Sequence, residues 1–363
     1  MKTKKQSKRP SKSKEKHFQK GSKRIKPDKK EYIRTESDWL LDKEIPENIK
    51  EIIEFYEENQ NLDLLIDELN NDFFKGFLDP KNRVSGQRIK HLPSGKELAR
   101  GGFSLYAKNL KINKEGKELW DICYENPSGS QTYLYSIEKV EHEKEKKALL
   151  VDEFEKQYPN IIKKLETDIK KTNDIVFIAL YILIKTNIRI GNLEYFHHYK
   201  HQGLTTLQKK NIKINGESVN FAFIGKDGIP QDITKKFPDF VLKPLEKHHK
   251  KLKQNDFVFT EHEHPIHSEE FSKILFNYTG IHFYPHIIRS FFADSICKNF
   301  LKTHKTATKK EVEECFLEAA IGLGHKKYNK KKDTYEPNFK VTIDNYIRPS
   351  LYEELMSKCK KSQ

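Results

Sequence analysis

The sequence is poor in cysteine and in long apolar runs, and it lacks the short motifs that mark several common catalytic sites. Its 363 residues include four cysteines, Cys123, Cys297, Cys315 and Cys359, scattered and with no CxxC pair. That argues against a disulfide scaffold or a zinc ribbon and fits a reducing compartment. The longest apolar run, 175–184, has ten residues. It is too short to span a bilayer and predicts a buried helix. No apolar region follows the charged N-terminus, so it does not read as a signal peptide. Neither GxxxxGKS nor GxxxxGKT occurs, and no HExxH, so no phosphate-cradling ATP loop or zinc-protease helix is expected. His262, His264 and His267 form a histidine-rich stretch without cysteine or helical spacing, which reads as a surface loop rather than a metal site. No internal repeat is visible.

Charge, by contrast, is abundant and uneven. The chain carries 68 Lys and Arg against 53 Asp and Glu, a formal +15. Residues 1–30 hold 14 of the bases and two of the acids, a net +12, which leaves 54 bases and 51 acids for the other 333 residues. So charged and so poorly apolar a segment reads as a disordered basic arm, suited to a polyanion or an anionic membrane. The rest reads as a nearly neutral globular body, 36% hydrophobic over the whole chain and long enough for about two domains. Lys, Asn, Ile and Tyr are abundant together, as an AT-rich genome would produce.

Periodicity divides this body. Residues 31–78 read as a helical N-terminal extension, with Ile49, Ile52, Ile53 and Tyr56 at helical spacing. Residues 79–145 read as a small β-rich domain, because prolines and glycines from Pro80 to Gly129 punctuate short mixed runs. The charged run 141–147 reads as a linker between this domain and the next. Residues 146–363 read as a larger, mainly helical domain. Thr172, Asn173 or Asp174 is the candidate cap of the apolar helix. Three short strands are expected at 211–214, 219–224 and 231–234, with turns at Asn215-Gly216 and Asp227-Gly228. Pro285 suits the first position of a helix carrying Ile287, Ile288, Phe291, Phe292 and Ile296. Thr308 and Glu311 make a capping box, and Gly322 and Gly324 stop that helix before His325. The fold class is α+β.

Basic residues stand at these punctuation points. Arg189 follows the apolar helix in Thr186-Asn-Ile-Arg-Ile-Gly-Asn192, and Lys226 sits in the turn Phe223-Ile-Gly-Lys-Asp-Gly228. His286 and Arg289 lie three apart on a helix, His325 follows Gly322-Leu-Gly, and Tyr346 lies in Asp344-Asn-Tyr-Ile-Arg-Pro349. Singly, each reads as an exposed cap, a turn charge or a core tyrosine. Together and in this order, they resemble the active site of the type IB DNA topoisomerases. The stretch from Leu183 to Tyr195, then Gln202-Gly-Leu-Thr-Thr-Leu207, then 223–228, is similar to that family in register, most of all to its small poxvirus-like and bacterial members. The resemblance covers roughly residues 80–360.

The resemblance implies that Arg189, Lys226, Arg289 and His325 are the catalytic basic residues and Tyr346 the nucleophile. Gln131, Tyr133, Tyr135 and Tyr195 match DNA-contacting positions. One departure stands out: Tyr346 lies 21 positions after His325, with a Lys-rich insert at 326–340, whereas the small members place the tyrosine shortly after the histidine. Tyr335, at the more usual spacing, is the alternative nucleophile. The implied chemistry is strand cleavage through a covalent phosphotyrosine, with the guanidiniums and the histidine on the non-bridging oxygens and the lysine protonating the departing 5′-oxygen. Because the phosphotyrosine conserves the bond energy, neither ATP nor a metal nor any other cofactor is expected. Duplex DNA is the expected partner, held by a monomer in a clamp of two lobes, with no membrane involved. The expected setting is cytoplasm, nucleus or a viral factory, with packaging in a virion. A tyrosine recombinase is the rival reading, since His286-x-x-Arg289 resembles that family's box. A non-enzymatic DNA-packaging protein is the third.

Overall fold

The computed structural model describes residues 18–359, and the chain divides into two compact units, 1–143 and 144–363. The fold is mixed α+β, as the sequence pattern predicts.

In the first unit, a five-stranded antiparallel sheet runs in the order Trp39–Glu44, Lys30–Arg34, Lys23–Ile25, Phe77–Leu78, Val84–Ser85. A three-stranded sheet of Lys108–Ile112, Ile122–Glu125 and Gln131–Leu134 accompanies it. Helix α1 (Glu47–Glu58) buries Ile49, Ile52, Ile53 and Tyr56, the face its spacing predicts. These side chains join a core that runs from Ile25 to Leu134.

Three expectations are corrected here. Of the disordered arm expected over residues 1–30, residues 1–17 lie outside the described residues and 18–30 are folded. Phe18 packs edge-on against Trp39 and Phe77, with ring centroids 5.4 and 5.0 Å away, and the strand Lys23–Ile25 pairs with both Lys30–Arg34 and Leu78. Composition averaged over thirty residues hid this, because the partners that order the segment lie far along the chain. For the same reason, residues 31–78 are not a helical extension. They hold one long helix among strands, and they share a sheet and a core with the region after residue 79. The charged run 141–147 is not a linker but part of α2 (Ile137–Thr172), a 36-residue helix. Glu and Lys are good helix formers, so a charged run with no Gly or Pro continues a helix.

The second unit is mainly helical. Helix α2 buries Val151, Phe154, Ile161, Leu165 and Ile169. Helix α3 (Ile175–Thr186) is apolar on all sides and buried accordingly, each fully buried Ile or Leu contributing about 1.5–3 kcal/mol. Of the three candidate caps, Asp174 makes the bond: its carboxylate accepts from Val176 N at 2.9 Å. After α4 (Leu193–Tyr199) comes the expected three-stranded antiparallel sheet, Ile212–Asn215, Ser218–Ile224 and Pro230–Lys236. Next in the chain are α5 (Asp239–Lys251), α6 (Ser268–Thr279) and α7 (Ile287–Thr303). Pro285 lies in the turn just before α7, two residues outside the helix it was expected to begin. Helix α8 (Lys309–Gly322) carries the Thr308–Glu311 capping box. The Lys-rich insert folds into a hairpin of Lys326–Asn329 and Thr334–Pro337. Short helices α9 (Lys340–Asn345) and α10 (Pro349–Ser357) close the chain and pack with α7 and α8 in a core of their own.

Candidate active site

Tyr346 ends α9 and is 5% exposed. Arg189 Nη2 donates to its hydroxyl at 3.2 Å. The Arg289 guanidinium lies 5.1 Å from its ring centroid, and the His325 ring 5.0 Å away. Three of the four expected catalytic basic residues therefore surround the expected nucleophile, from segments up to 157 positions apart in the chain.

Each is held by backbone geometry that its local sequence explains. The carboxyl end of α3 is closed by Asn187 at φ 56°, which turns the chain so that Arg189 leaves the helix. The segment is then clamped by Gly203-Leu-Thr: Leu204 N donates to Arg189 O and Thr205 N to Ile190 O, both at 2.7 Å. Gly203 is needed for that approach. A Cβ there would sit 2.5 Å from Arg189 O and from Gly191 N. Arg289, 3% exposed on α7, donates to Asn187 O and, at 2.9 Å, to Leu323 O, so it ties the ends of α3 and α8 together. Its Nη2 also lies 3.1 Å from His325 Nε2. A guanidinium only donates, so that Nε2 accepts and the histidine proton sits on Nδ1, facing Thr342 Oγ1 at 2.8 Å.

Burial, followed by Arg289 and Arg189, pushes His325 down to about 3, so it is neutral near pH 7. Burial and the neighbouring Arg189 lower Arg289 to about 10, against the opposing pull of Tyr346. For Tyr346 itself burial pushes up, but Arg289 and Arg189 outweigh it and hold the phenol below its ordinary value. The site is thus biased toward a phenolate.

Lys226 stands exposed on the turn between the second and third strands of the sheet, where Asp227 adopts φ 63°. It lines a cavity of about 500 Å³ with Arg189, Gln202 and Tyr195, and a narrower one with Arg189 and Arg289. Tyr195 is exposed on α4 beside Tyr199. Gln131, Tyr133 and Tyr135 belong to the first unit, at and just beyond the strand Gln131–Leu134; both tyrosines are exposed, and Gln131 accepts a hydrogen bond from Cys123. Tyr335 is half exposed on the insert hairpin, where its ring packs against Tyr328 at 5.3 Å. The hairpin accommodates the long His325–Tyr346 separation: Asn338 N bonds back to His325 O, returning the chain to the site.

Several residues here were not legible in the sequence. Lys147, from the charged run, places its ammonium 5.4 Å from the Tyr346 ring centroid and donates to Asn345 O at 2.7 Å. Burial lowers its pKa, and Arg289 and Lys144 add to that against the pull of Tyr346 and Asp294. His286, which the sequence places with Arg289 in the recombinase-like box but not among the expected catalytic residues, lies 5.1 Å from the Tyr346 ring. Burial, then Arg289, Lys147, Arg189 and Lys226, push it down to about 3, although an exposed edge lets water screen part of this. Arg348, two residues after the tyrosine, bonds Asp152 through both terminal nitrogens at 2.7 and 2.8 Å and Asp294 through Nε at 2.6 Å. That fork fastens the tyrosine segment to α2 and α7. No signal marked it beforehand, since its partners lie 196 and 54 residues away.

No group of three or more metal-ligating side chains occurs among the described residues, and no helix among them is long and apolar enough to cross a membrane. All four cysteines are free.

A buried tyrosine ringed by fixed cations is built for nucleophilic attack on an anionic centre. The profile of the eukaryotic DNA topoisomerase I catalytic core matches residues 138–350, more than half of the chain, and the chain belongs to that family. It is 25% identical over 134 residues to DNA topoisomerase 1 of rabbit fibroma virus (strain Kasza), which covers 36% of this chain and 43% of that one. It is 26% identical over 141 residues to DNA topoisomerase 1B of vaccinia virus (strain Copenhagen), 37% and 44% of the two chains, and 25% identical over 141 residues to DNA topoisomerase I of monkeypox virus. The chain thus spans less than half the length of the curated relatives it matches. Among solved structures, the XerH site-specific recombinase bound to palindromic difH substrate is matched with 14% identity and a TM-score of 0.31, covering 54% of this chain and 51% of that one.

Proposed function

We propose that the protein is a type IB DNA topoisomerase that relaxes supercoiled duplex DNA without ATP or metal. The observation that carries this reading is the Tyr346 hydroxyl bonded to Arg189 inside a ring formed with Arg289 and His325. Tyr346 Oη attacks the phosphorus, and the bond from phosphorus to the 5′-oxygen breaks. Lys226 gives that oxygen its proton, leaving the 3′-phosphate on the tyrosine. The free end rotates, and the reverse reaction reseals the strand.

Arg189 and Arg289 hold the charge that gathers on the non-bridging oxygens. For His325 to donate there, its proton must be on Nε2, and the Arg289 Nη2 donor that meets Nε2 must turn to the phosphate oxygen. Thr342 makes this accessible, because a hydroxyl accepts from Nδ1–H or donates to bare Nδ1 with equal ease. Gln131, Tyr133 and Tyr135 of the first unit and Tyr195 of the second contact the duplex, mostly at its backbone.

Plasmid relaxation in EDTA without ATP tests the reading. Wild type and Tyr335→Phe should relax, and Tyr346→Phe should not. Relaxation by Tyr346→Phe would sink the assignment. The recombinase reading draws on one observation, the His286 ring beside Tyr346. It requires synapsis of paired specific sites, so relaxation of plasmids with no special site excludes it. A denaturation-stable protein–DNA adduct excludes a purely packaging role.

A further inference from the structure

We propose that the first unit carries a nucleobase-binding pocket of its own, outside the residues that match the topoisomerase core. A cavity of about 110 Å³ lies among Phe18, Trp39, Arg24, Arg34, Asp67 and Gln87. That is room for several waters or one flat ring. Arg24 forms its floor and is 1% exposed. Its Nη2 donates to Asp67 Oδ2 and, at 3.1 Å, to Phe74 O. Its Nε and Nη1 meet no acceptor among the described residues, and the buried Gln87 Oε1 meets no donor. The rings of Phe18 and Phe73 lie over the guanidinium, 5.0 and 4.6 Å from its carbon, so a partner reaches it through the edge.

This inventory selects a ligand class. A buried guanidinium N–H or amide oxygen without a partner is costly, and a ligand that supplies both an acceptor and a donor relieves both. The Asp67 carboxylate, whose other oxygen accepts from Leu69 N at 2.9 Å, neutralises Arg24. The floor therefore has no surplus charge to hold a phosphate or carboxylate, and no surplus negative charge to hold an organic cation. What fits is neutral and flat, with acceptor and donor on one edge and faces that suit aromatic walls. A nucleobase has this chemistry. Arg34, whose guanidinium lies 5.7 Å from the Trp39 ring, suits an attached phosphate. The base comes either from a free nucleoside or nucleotide, or from an unpaired position in DNA.

Trp39 reports on the pocket. In a full-length Trp120→Phe protein it is the only tryptophan. Its fluorescence is titrated with the four deoxynucleosides, their 5′-monophosphates, a matched duplex and the same duplex with one unpaired base. The expected result is a saturable change with at least one base, weakened about tenfold by Gln87→Leu, the loss of one buried hydrogen bond. Arg24→Met should abolish it; if that variant fails to fold by circular dichroism, Gln87→Leu carries the test. A response to free nucleosides assigns a small-molecule site, and a response confined to the unpaired-base duplex assigns a DNA site. No saturable change, equal change with the matched duplex alone, or unaltered binding in Gln87→Leu overturns the pocket. A protein that relaxes plasmid yet gives such a result leaves the topoisomerase reading standing.

Discussion

Replacing Lys147 by Met removes a cation from beside Tyr346, the proposed nucleophile, while keeping most of its bulk. The ammonium lies 5.4 Å from the Tyr346 ring centroid. At an effective dielectric constant near 20, a unit charge at that distance stabilises a phenolate by about 3 kcal/mol. Phenolate charge is spread between the oxygen and the ring, so about 1.5–3 kcal/mol is a fair range, or about 1–2 pKa units. The sign is definite: a nearby cation favours the phenolate and lowers its pKa, so Lys147→Met raises it. Single-turnover cleavage of a short duplex, measured against pH, should show the rising limb moved about 1–2 units to higher pH, with the plateau rate recovered above it. Lys147 also donates to Asn345 O, so the variant loses an anchor as well as a charge. Lys147→Gln keeps a donor without the charge, and Lys147→Arg restores both. If charge is what counts, Gln follows Met and Arg follows wild type. A Lys147→Met profile that overlays wild type would refute the reasoning. So would a pH-independent loss in Met that Gln fully repairs.

Four further outcomes are expected. Gly203→Ala should cut the cleavage rate at least tenfold and cost about 1–3 kcal/mol in urea unfolding, because the new methyl meets the Arg189 and Gly191 backbone rather than a movable side chain. Arg348→Met should cost about 3–5 kcal/mol by the same measure, since it leaves Asp294 buried without its partner. His325 is neutral when folded, at about 3 against an unfolded 6.5, so the unfolded chain takes up a proton first as pH falls below 6.5. Stability should therefore drop between pH 6.5 and about 3, by about 2 kcal/mol at pH 5, and unfolding of His325→Gln should show a correspondingly shallower acid limb. Removing residues 1–17, which hold eight Lys and Arg and one Glu, should weaken DNA binding and flatten its salt dependence while leaving cleavage at saturating DNA intact. A deletion to residue 30 is a different experiment, since it strips the strand Lys23–Ile25 from its sheet.

Much of the second unit was legible because its signals are local. A capping box is made by residues three apart, such as Thr308 and Glu311, and an apolar run such as 175–184 can only be a buried element. Singly, Arg189, Arg289 and His325 read as ordinary caps and surface charges; only their order along the chain and the family resemblance single them out. The first unit is less legible because its order is not local. Phe18, Lys23 and Arg24 look like part of a solvated tail until Trp39, Asp67 and Leu78 are brought beside them. The same holds within the site for Lys147 and Arg348, ordinary surface charges by composition.

The amino-acid sequence by itself determined several elements of the second unit, among them α3, the three-stranded sheet and α8, and which residue types the site has available, because capping, turn geometry and periodicity act within a few residues. Only the tertiary structure decided which tyrosine those cations surround, which lysine joins them, and which part of the basic N-terminus is folded. Those outcomes rest on contacts across tens to hundreds of residues, whose strength comes from burial and desolvation that no local stretch of chain possesses.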